Sequence, residues 1–408
     1  MKFSLKKLGP GLLFAGAAIG VSHLVQSTRA GADFGFGLIW ALLLINFVKY
    51  PFFKFGPRYA SATGESLLEG YNKMGRGVLI TYYLVTLATM FTIQTAVTIV
   101  TAGLASSIFN ELLPFHVSTE IWTVIILVIC ASILLRGKYG LLDKLMKVIV
   151  ITLTISTIVA VVLAFQNQTQ AYSMEQIIPQ ATEFGFLIAF MGWMPAPLDI
   201  SIWHSIWTTE KKQNNSDFDS KSSERDFNVG YIFTIIIGIG FISLGALVMF
   251  KTGTEFSNKA SEFSNQLISM YTSNLGVWSY ILIGIATFTT MFSTTLTTLD
   301  ASPKVMHKST DILFGTKLKS SYTFWIMLLA IGTIGIFFFF ASEMGLLIEI
   351  ATVLSFLTAP FYAIVNYMVI SGKHTPKKAR PSLLMHIWSW FGIAFLIGFS
   401  VWYLSMAF

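Results

Sequence analysis

Asp199 is a carboxylate inside an otherwise apolar stretch, FGFLIAFMGWMPAPLDISIWHSIW, which covers residues 184–207. Pro195 and Pro197 come shortly before it. Each proline removes an amide donor and clashes with the preceding helical turn, so a helix is expected to break there. A carboxylate at such a break can bind a cation, or it can cap the free amides of the helix that follows. Because carboxylates in apolar segments are costly and rare, we favour ion binding.

His23 lies at a second expected break, in the apolar stretch LGPGLLFAGAAIGVSHLVQSTRAGADFGF, residues 8–36. The centre of this stretch is a run of small residues that includes Gly20, and Ser22, His23 and Gln26 follow it. Imidazole binds transition metals and titrates near physiological pH. His23 could therefore be a metal ligand or a proton relay, and the alternative is a histidine hydrogen-bonded to an unwound carbonyl.

Two further side chains extend the candidate site around the proline break. Met194 offers a soft thioether, which would favour transition metals over Mg²⁺ and Ca²⁺, although a methionine at a break is more often packing. His204 lies five residues beyond Asp199 and is either a second proton relay or a packing histidine.

A run of hydroxyl residues near position 295 could hold a sodium ion. Sodium is a hard cation that prefers oxygen ligands, and Thr294, Thr297 and Thr298 could supply them together with a carbonyl near Ala17 in the first break. The alternative is that these hydroxyls bond back to the carbonyl four residues earlier, as they commonly do in apolar helices.

The composition is that of a polytopic membrane protein. Of 408 residues, 54% are hydrophobic and 12% are charged, about half the charged share of a soluble domain. The net charge of +7 comes from Lys and Arg residues in short loops, which indicates topology signals and not a nucleic-acid partner. The single cysteine, Cys130, excludes an intrachain disulfide and a cysteine metal cluster. We found no nucleophile–base pattern or nucleotide-binding motif, so we expect neither an enzyme nor a resident cofactor.

Eleven apolar segments can be counted, at residues 9–34, 37–57, 78–107, 119–136, 143–166, 184–208, 228–251, 275–300, 321–341, 345–371 and 384–406. Positive charge alternates between successive loops, which predicts a multi-pass cell-membrane protein with a cytoplasmic N-terminus and an external C-terminus. The stretch 208–228, TTEKKQNNSDFDSKSSERDFN, is polar and predicts a flexible loop. Structural ion pairs are expected near the end of the second segment, among Lys49, Arg58, Glu65 and Glu69.

The two breaks occupy corresponding places in the chain. Segments 1–5, about residues 8–166, and segments 6–10, about residues 184–371, each contain five helices with a broken first member. An odd number of spans per half predicts an inverted repeat with a binding site at its interface, near the middle of the membrane. The whole chain, 1–408, would then be one transporter domain that ends in an eleventh helix.

Several motifs carry a resemblance to a known family. LGPGLLFAG, GADFGFGLIWALLL and RYASATGESLLEGY resemble the first two spans of the Nramp family of divalent-metal transporters. WMPAPLDISIWHS, TLTTLDASPKVM and SFLTAPF are similar to its sixth, eighth and tenth spans. The resemblance covers most of the chain. It implies an all-α, LeuT-like fold of two inverted five-helix repeats plus an eleventh helix.

The chain departs from the family at the metal ligands of the first span. The family's Asp-Pro-Gly-Asn motif, whose Asp and Asn bind the metal, falls on Gly20, Val21, Ser22 and His23. The chelating carboxylate is therefore absent, and His23 stands where the family has Asn.

The later spans keep part of the family's pattern. The Met-Pro and His-Ser elements of the sixth span fit Met194-Pro195 and His204-Ser205, with a longer spacing between them. The family's tenth-span glutamine falls on Thr358.

Two functions remain open from the sequence. The first is a secondary active transporter of divalent metal cations, coupled to a gradient of H⁺ or Na⁺, with His23, Met194 and Asp199 as metal ligands. The second is a sodium-coupled transporter of a small organic or anionic solute on the same fold, because the small residues around Gly20 leave room and half-helix N-termini hold anions. The lipid bilayer and the cargo are the expected partners, and a monomer is expected. The predicted substrate or ion site comprises Gly20, Ser22, His23, Gln26, Met194, Ala196, Asp199 and Thr358.

Overall fold

The computed structural model describes residues 9–136, 139–166, 172–180, 183–214, 218–251, 256–276, 280–315, 321–340 and 344–407. Within these ranges the secondary structure is entirely helical, as the sequence predicts. The helices are α1 (Pro10–Ala18), a π-helical turn (Ser22–Ser27), α2 (Thr28–Phe34), α3 (Ile39–Thr63), α4 (Leu67–Met74), α5 (Arg76–Phe109), α6 (Thr119–Arg136), α7 (Tyr139–Gln166), α8 (Phe184–Trp193), α9 (Ile200–Asn214), α10 (Ser220–Val248), α11 (Ala260–Leu275), α12 (Tyr280–Phe314), α13 (Tyr322–Phe340), α14 (Met344–Ser371), a 3₁₀ turn (Lys377–Ala379) and α15 (Leu383–Ala407).

Seven of the described helices are long and apolar enough to cross a membrane by themselves, namely α3, α5, α6, α10, α13, α14 and α15. The first predicted segment is a bent span, in which α1 and the helix that begins at Ser22 meet at 49°. The other three predicted segments fall on α7, on α8 together with α9, and on α12. The eleven segments therefore all lie on helices.

The prediction of a flexible loop over residues 208–228 is wrong for most of that stretch. Helix α9 continues to Asn214 and α10 begins at Ser220, so two spans extend as helices beyond their apolar parts. Asp219 stabilises the start of α10 because its carboxylate accepts a 2.8 Å hydrogen bond from the amide of Ser222. Residues 215–217 lie outside the described residues.

Glycines allow α10 to approach both halves of the broken first span. A Cβ atom at Gly230 would lie 2.1 Å from the carbonyl oxygen of Gly11 on α1. On α2, a Cβ atom at Gly31 would lie 2.1 Å from the carbonyl oxygen of Ile242. Small residues at helix contacts are how membrane helices pack closely without a hydrophobic driving force. These contacts place the first break directly beside α10.

The residues expected to form ion pairs near the end of the second segment have three different environments. Glu65 pairs with Lys73 at 2.5 Å, and Glu69 pairs with Lys308 at 2.7 Å. Arg58 donates to the carbonyl of Arg380 instead, at 3.0 Å. Lys49 is fully buried and its ammonium group contacts backbone carbonyls among the described residues and not a carboxylate, so for it the expectation of an ion pair is wrong.

Candidate functional site

The first break separates α1 from the π-helical turn. Helix α1 ends at Ala18, and the chain resumes helical bonding at Gly20, whose carbonyl accepts from the amides of His23 and Leu24 at 3.1 and 2.9 Å. A Cβ atom at Gly20 would lie 2.8 Å from Cγ2 of Thr294 on α12. The small residue is therefore needed for the first span to pass this close to α12.

The second break separates α8 from α9. Helix α8 ends at Trp193, and residues 194–199 are not helical before α9 begins at Ile200. Pro195 and Pro197 lie in this segment and have no amide hydrogen to continue α8. Both predicted breaks are thus present. At each break a helix ends, and its last carbonyl groups have no hydrogen-bond donor within the helix.

The ammonium group of Lys49 lies at the C-terminus of α8, where the helix breaks. Its Nζ atom lies 2.9 Å from the carbonyl oxygen of Met191, 2.6 Å from that of Gly192, 3.1 Å from that of Met194 and 3.3 Å from that of Ala196. Its three N–H groups share these four acceptors. The side chain comes from α3 and is fully buried. The carbonyls of a helix C-terminus carry partial negative charge, which explains why a cation is stable there without a carboxylate. We call these four carbonyls the carbonyl cage.

His23 is fully buried and turned towards α10. Its Nε2 atom lies 3.0 Å from the carbonyl oxygen of Thr234, and its Nδ1 atom lies 2.8 Å from Oγ of Ser22. The Ser22 hydroxyl is also 3.0 Å from the carbonyl oxygen of Ala18. Both imidazole nitrogens thus have hydrogen-bond partners, and a metal ion at either nitrogen would have to displace one of them.

Met194 and His204 are also packed away from the gap between the broken helices. Sδ of Met194 and Cδ2 of His23 each lie 3.6 Å from the position that a Cβ atom of Gly238 would take on α10. The His204 ring stacks on Phe14, with centroids 5.6 Å apart, and neither of its nitrogens has a hydrogen-bond partner among the described atoms. His204 therefore lies in an aromatic environment.

A cavity lies between the two breaks, and we call it the interbreak cavity. Its cavity volume is about 20 Å³. In this conformation it can hold a water molecule or an ion, and a larger solute would require its walls to move apart. The cavity is lined by Ala17, Ala18, Gly20, Val21, Ser22, Ile93, Val97, Trp193, Pro197, Ile200, Trp203, Thr294 and Thr298.

A second pocket adjoins the first and contains the predicted carboxylate; in this conformation it has no room for a water molecule, so an entering cation would require its walls to move apart. We call it the Asp199 pocket. Oδ1 of Asp199 is buried and has no hydrogen-bond partner in the described part of the chain. The backbone amides of Ile200 and of Asp199 itself face the carboxylate, as in a helix N-cap. The pocket is lined by Thr89, Ile93, Pro197, Leu198, Asp199, Ser355, Thr358 and Tyr362.

The hydroxyl of Thr294 meets backbone oxygens of the first break. Its Oγ1 atom lies 3.3 Å from the carbonyl oxygens of Gly16 and Ile19 and 3.2 Å from that of Thr290. One hydroxyl proton can serve only one of these three carbonyls well. By contrast, Thr297 and Thr298 bond back to the carbonyls four residues earlier, at 2.6 and 2.8 Å.

The structure separates the predicted site residues into groups. The interbreak cavity brings together Ala17, Gly20, Ser22, Thr294 and Thr298. The Asp199 pocket brings together Asp199 and Thr358. Neither lining includes the side chains of six other predicted residues, which are His23, Gln26, Met194, Ala196, His204 and Thr297. In the described ranges, no group of three or more His, Cys, Asp or Glu residues is arranged to hold a metal ion.

Sequence reasoning did not include Lys49, Trp193 or Trp203 in the site. The sequence did carry a signal for Lys49, because it interrupts the apolar stretch GLIWALLLINFVKYPFF, and an ionisable residue inside a span is a functional candidate by default. The two tryptophans carried no comparable signal, since aromatic residues are common throughout this chain.

Comparison with known sequences identifies the family. The family model for natural resistance-associated macrophage protein-like proteins, Nramp, matches residues 11–406. The chain belongs to the Nramp family. A Pasteurella multocida protein of uncharacterized function is 36% identical to this Nramp protein over 379 residues, which cover 91% of this chain and 86% of the relative. The resemblance found in the sequence is thereby confirmed. Nramp is a family of metal-ion transporters, so the chain is a multi-pass membrane transporter and not an enzyme.

Solved structures show the same fold at low sequence identity. A manganese transporter of Eremococcus coleocola, in complex with an aromatic bis-isothiourea compound, has a TM-score of 0.76 at 11% identity, covering 96% of this chain and 84% of its own. Mhp1, a nucleobase-cation-symport-1 family transporter with bromovinylhydantoin bound, has a TM-score of 0.64 at 16% identity, covering 98% and 88%. MhsT in complex with L-phenylalanine has a TM-score of 0.66 at 12% identity, covering 96% and 98%. The predicted LeuT-like fold is confirmed.

Proposed function

We propose that this Nramp protein is a secondary active transporter that binds a hard metal cation at Asp199 and carries it across the bilayer by alternating access. The observation that carries the proposal is the buried Oδ1 atom of Asp199, which has no hydrogen-bond partner among the described atoms and lies on a pocket. A buried carboxylate oxygen without a partner is costly, so a bound cation would relieve a real penalty.

The hydroxyl groups around Asp199 favour a cation over an anion. Thr89, Ser355 and Thr358 donate their protons to the carbonyls four residues earlier, at 2.9, 2.7 and 2.9 Å. One lone pair of Ser355 already accepts from the indole of Trp193 at 2.7 Å. The remaining lone pairs of the three hydroxyls can only accept, which suits a cation. Together with one carboxylate they form an all-oxygen donor set, which favours Mn²⁺, Mg²⁺, Ca²⁺ or Na⁺ over softer metals. Among these, we take a divalent ion such as Mn²⁺ as the first candidate, because this is an Nramp protein.

Transport assays with one substituted carboxylate test this proposal. Wild-type protein and Asp199→Asn would be reconstituted in proteoliposomes, and uptake of Mn²⁺, Mg²⁺ and Na⁺ would be followed with and without imposed H⁺ or Na⁺ gradients. We expect Asp199→Asn to lose at least roughly tenfold in uptake rate, since it removes the only charge on the pocket. Asp311→Asn is the matched control, because Asp311 is half exposed. Wild-type rates in Asp199→Asn would exclude the Asp199 pocket as the cation site, and uptake insensitive to both gradients would exclude coupling.

A second candidate function is sodium-coupled transport of a small organic solute, and Trp203 favours it. The indole nitrogen of Trp203 is buried and has no hydrogen-bond partner in the described structure, and the residue lines the interbreak cavity. Indole can only donate, so it suits a carbonyl or carboxylate group of a solute. Thr294, with the nearby carbonyls of Gly16 and Ile19, supplies oxygen atoms for sodium. Sodium-dependent uptake of a small carboxylate, lost in Trp203→Phe and independent of Mn²⁺, would support this candidate over the first.

We also propose that the N-terminus is cytoplasmic, on the basis of loop charge. The exposed residues Glu111 and Lys373 lie in loops predicted to face opposite sides. Because the native Cys130 is buried, a cysteine placed at either position can be labelled selectively. A membrane-impermeant maleimide applied to intact cells should label Glu111→Cys and not Lys373→Cys, and the reverse pattern would invert the topology.

A further inference from the structure

Lys49 and Asp199 place opposite charges at the two ends of the same non-helical segment, residues 194–199. We propose that Lys49 is a specificity-determining residue: its positive charge lowers the affinity of the Asp199 pocket for cations, and lowers it more for divalent than for monovalent ions. The inference rests on the proposed cation site at Asp199, and it adds the residue that would set which ions bind there.

The ammonium group of Lys49 is held in place and is shielded from solvent. The four oxygens of the carbonyl cage lie 2.6 to 3.3 Å from its Nζ atom, and the side chain has no exposed surface. One of the cage oxygens belongs to Ala196, three residues before Asp199. The positive charge therefore cannot swing into water when a cation enters the neighbouring pocket, and the ammonium repels that cation for as long as it keeps its proton.

The other titratable groups that face Asp199 are neutral tyrosines. They are Tyr71 of α4, Tyr82 of α5 and Tyr362 of α14. All three are buried, and the negative charge of Asp199 acts on each of them. Tyr71 donates to Asn366 at 2.5 Å. Lys49, from α3, is the cation whose charge acts on the Asp199 carboxylate. The charge balance of this part of the described structure is thus one ammonium against one carboxylate.

Electrostatic repulsion depends on the charge of the incoming ion. The repulsion energy between Lys49 and a bound ion is proportional to the ion's charge, so it is twice as large for Mn²⁺ as for Na⁺ at the same position. Affinity depends exponentially on energy. If removal of the Lys49 charge raises the affinity for Na⁺ by some factor, the affinity for Mn²⁺ should rise by about the square of that factor.

A purely structural role for Lys49 would give a different result. As a cap on broken α8, the ammonium stabilises the segment that carries Asp199, and its loss would distort the pocket for every ion. Such a distortion has no reason to follow the square relation between monovalent and divalent ions, so this relation separates the two roles.

The test is equilibrium binding of radiolabelled Na⁺ and Mn²⁺ to the purified full-length protein in lipid nanodiscs. The variants are Lys49→Met, which removes the charge and the donors, and Lys49→Gln, which removes the charge but keeps two donors for the carbonyl cage. We expect affinity to rise on the order of tenfold for Na⁺ and hundredfold for Mn²⁺, as for charges interacting at an effective dielectric constant of about 20. Lys49→Arg keeps the charge and should keep the wild-type ratio, and Lys373→Gln neutralises an exposed lysine as the control.

The outcomes distinguish this inference from the function on which it rests. If Asp199→Asn binds both ions as tightly as the wild type does, the proposed cation site is wrong. If Asp199→Asn abolishes binding while the neutral Lys49 variants shift both ions by the same factor, or weaken both, only the inference about Lys49 is wrong. Melting temperatures are measured on the same samples. If neither neutral variant folds, Lys49 is a structural residue and the inference is overturned.

Discussion

The carboxylate of Asp226, on α10, accepts a 2.7 Å hydrogen bond from the amide of Gly11 and a 3.0 Å bond from the amide of Gly9. It therefore caps α1 from a different span. Helix α1 needs such a partner, because Gly9 occupies its N-cap position without a side chain and Pro10 has no amide hydrogen. The Asp226 carboxylate thus holds the start of α1 against α10, the helix that packs along both halves of the broken first span.

The first prediction concerns this cap. Asp226→Ala should lower the free energy of unfolding by about 1–3 kcal/mol, because two buried amides lose their acceptor. The measurement is thermal melting in detergent, followed by tryptophan fluorescence. Asp311→Ala, at a half-exposed carboxylate of α12, should change stability by less than about 0.5 kcal/mol. Equal melting temperatures for the wild type and Asp226→Ala would show that α1 does not depend on this cap.

The second prediction uses two glycines in helices. Gly31→Ala should destabilise the protein by about 1–3 kcal/mol, because the new Cβ atom would lie 2.1 Å from a backbone oxygen of α10 and the helices would have to separate. Gly335→Ala on α13 meets no atom within 4 Å and should stabilise the protein by about 0.5–1 kcal/mol through helix propensity. Melting temperatures of the two variants should therefore move in opposite directions, and a shift in the same direction would argue against close packing of α2 on α10.

The fold could be predicted from the sequence because its determinants are local. Apolar length and the prolines at 195 and 197 indicate spans and a break without reference to any distant residue, whereas the orientation indicated by alternating loop charge stays a prediction. The extension of α9 and α10 beyond their apolar parts could not be read in the same way. The stretch 208–228 has no apolar periodicity that would indicate a helix. The start of α10 is stabilised instead by the capping hydrogen bond that Asp219 accepts.

The candidate site could be predicted only in part, because its contacts join distant residues. Asp199 was found from its own position after the break. The partners of Lys49 are carbonyl oxygens 142 to 147 residues away. Every residue has a backbone carbonyl, so the sequence does not indicate which carbonyls would contact Lys49. The sequence left a ligand role and a hydrogen-bonded role open for His23. Its Nε2 atom lies 3.0 Å from the carbonyl oxygen of Thr234, which is 211 residues away, so this contact could not be read from the local sequence.

The third prediction concerns pH and the ion pair between α4 and α12. Burial alone would raise the pKa of Glu69, but hydrogen bonds from Lys308 and Ser66 outweigh it and hold that pKa below its usual value. Because the pKa is lower in the folded state, the stabilisation is present above about pH 4.5 and is lost as the pH falls through the folded-state pKa. Glu69→Gln should therefore cost about 1 kcal/mol near pH 7, a modest value because both side chains are about one-third exposed.

The measurement for Glu69 is a melting series from about pH 7 to about pH 3.5. The melting curves of the wild type and Glu69→Gln should converge at the acidic end. Glu262→Gln, at an exposed glutamate in α11, controls for a general effect of removing a carboxylate. A difference that stays constant with pH would mean that Glu69 acts through its capping bond to Ser66 and not through its charge.

The last prediction compares the two tryptophans of the interbreak cavity. Their exposures are matched at 3% for Trp193 and 2% for Trp203. In the described structure, the indole nitrogen of Trp193 donates to the hydroxyl of Ser355 at 2.7 Å, and that of Trp203 has no partner. Substitution by phenylalanine removes the same ring atoms at both positions, so the cavity term is similar and largely cancels. Trp193→Phe should therefore be less stable than Trp203→Phe by about 1 kcal/mol, the net value of one hydrogen bond.

Melting in the absence of any solute measures this difference. Equal costs would mean that the Trp203 indole already has a partner such as an ordered water, and a solute would then have to displace that water and would gain little from the bond.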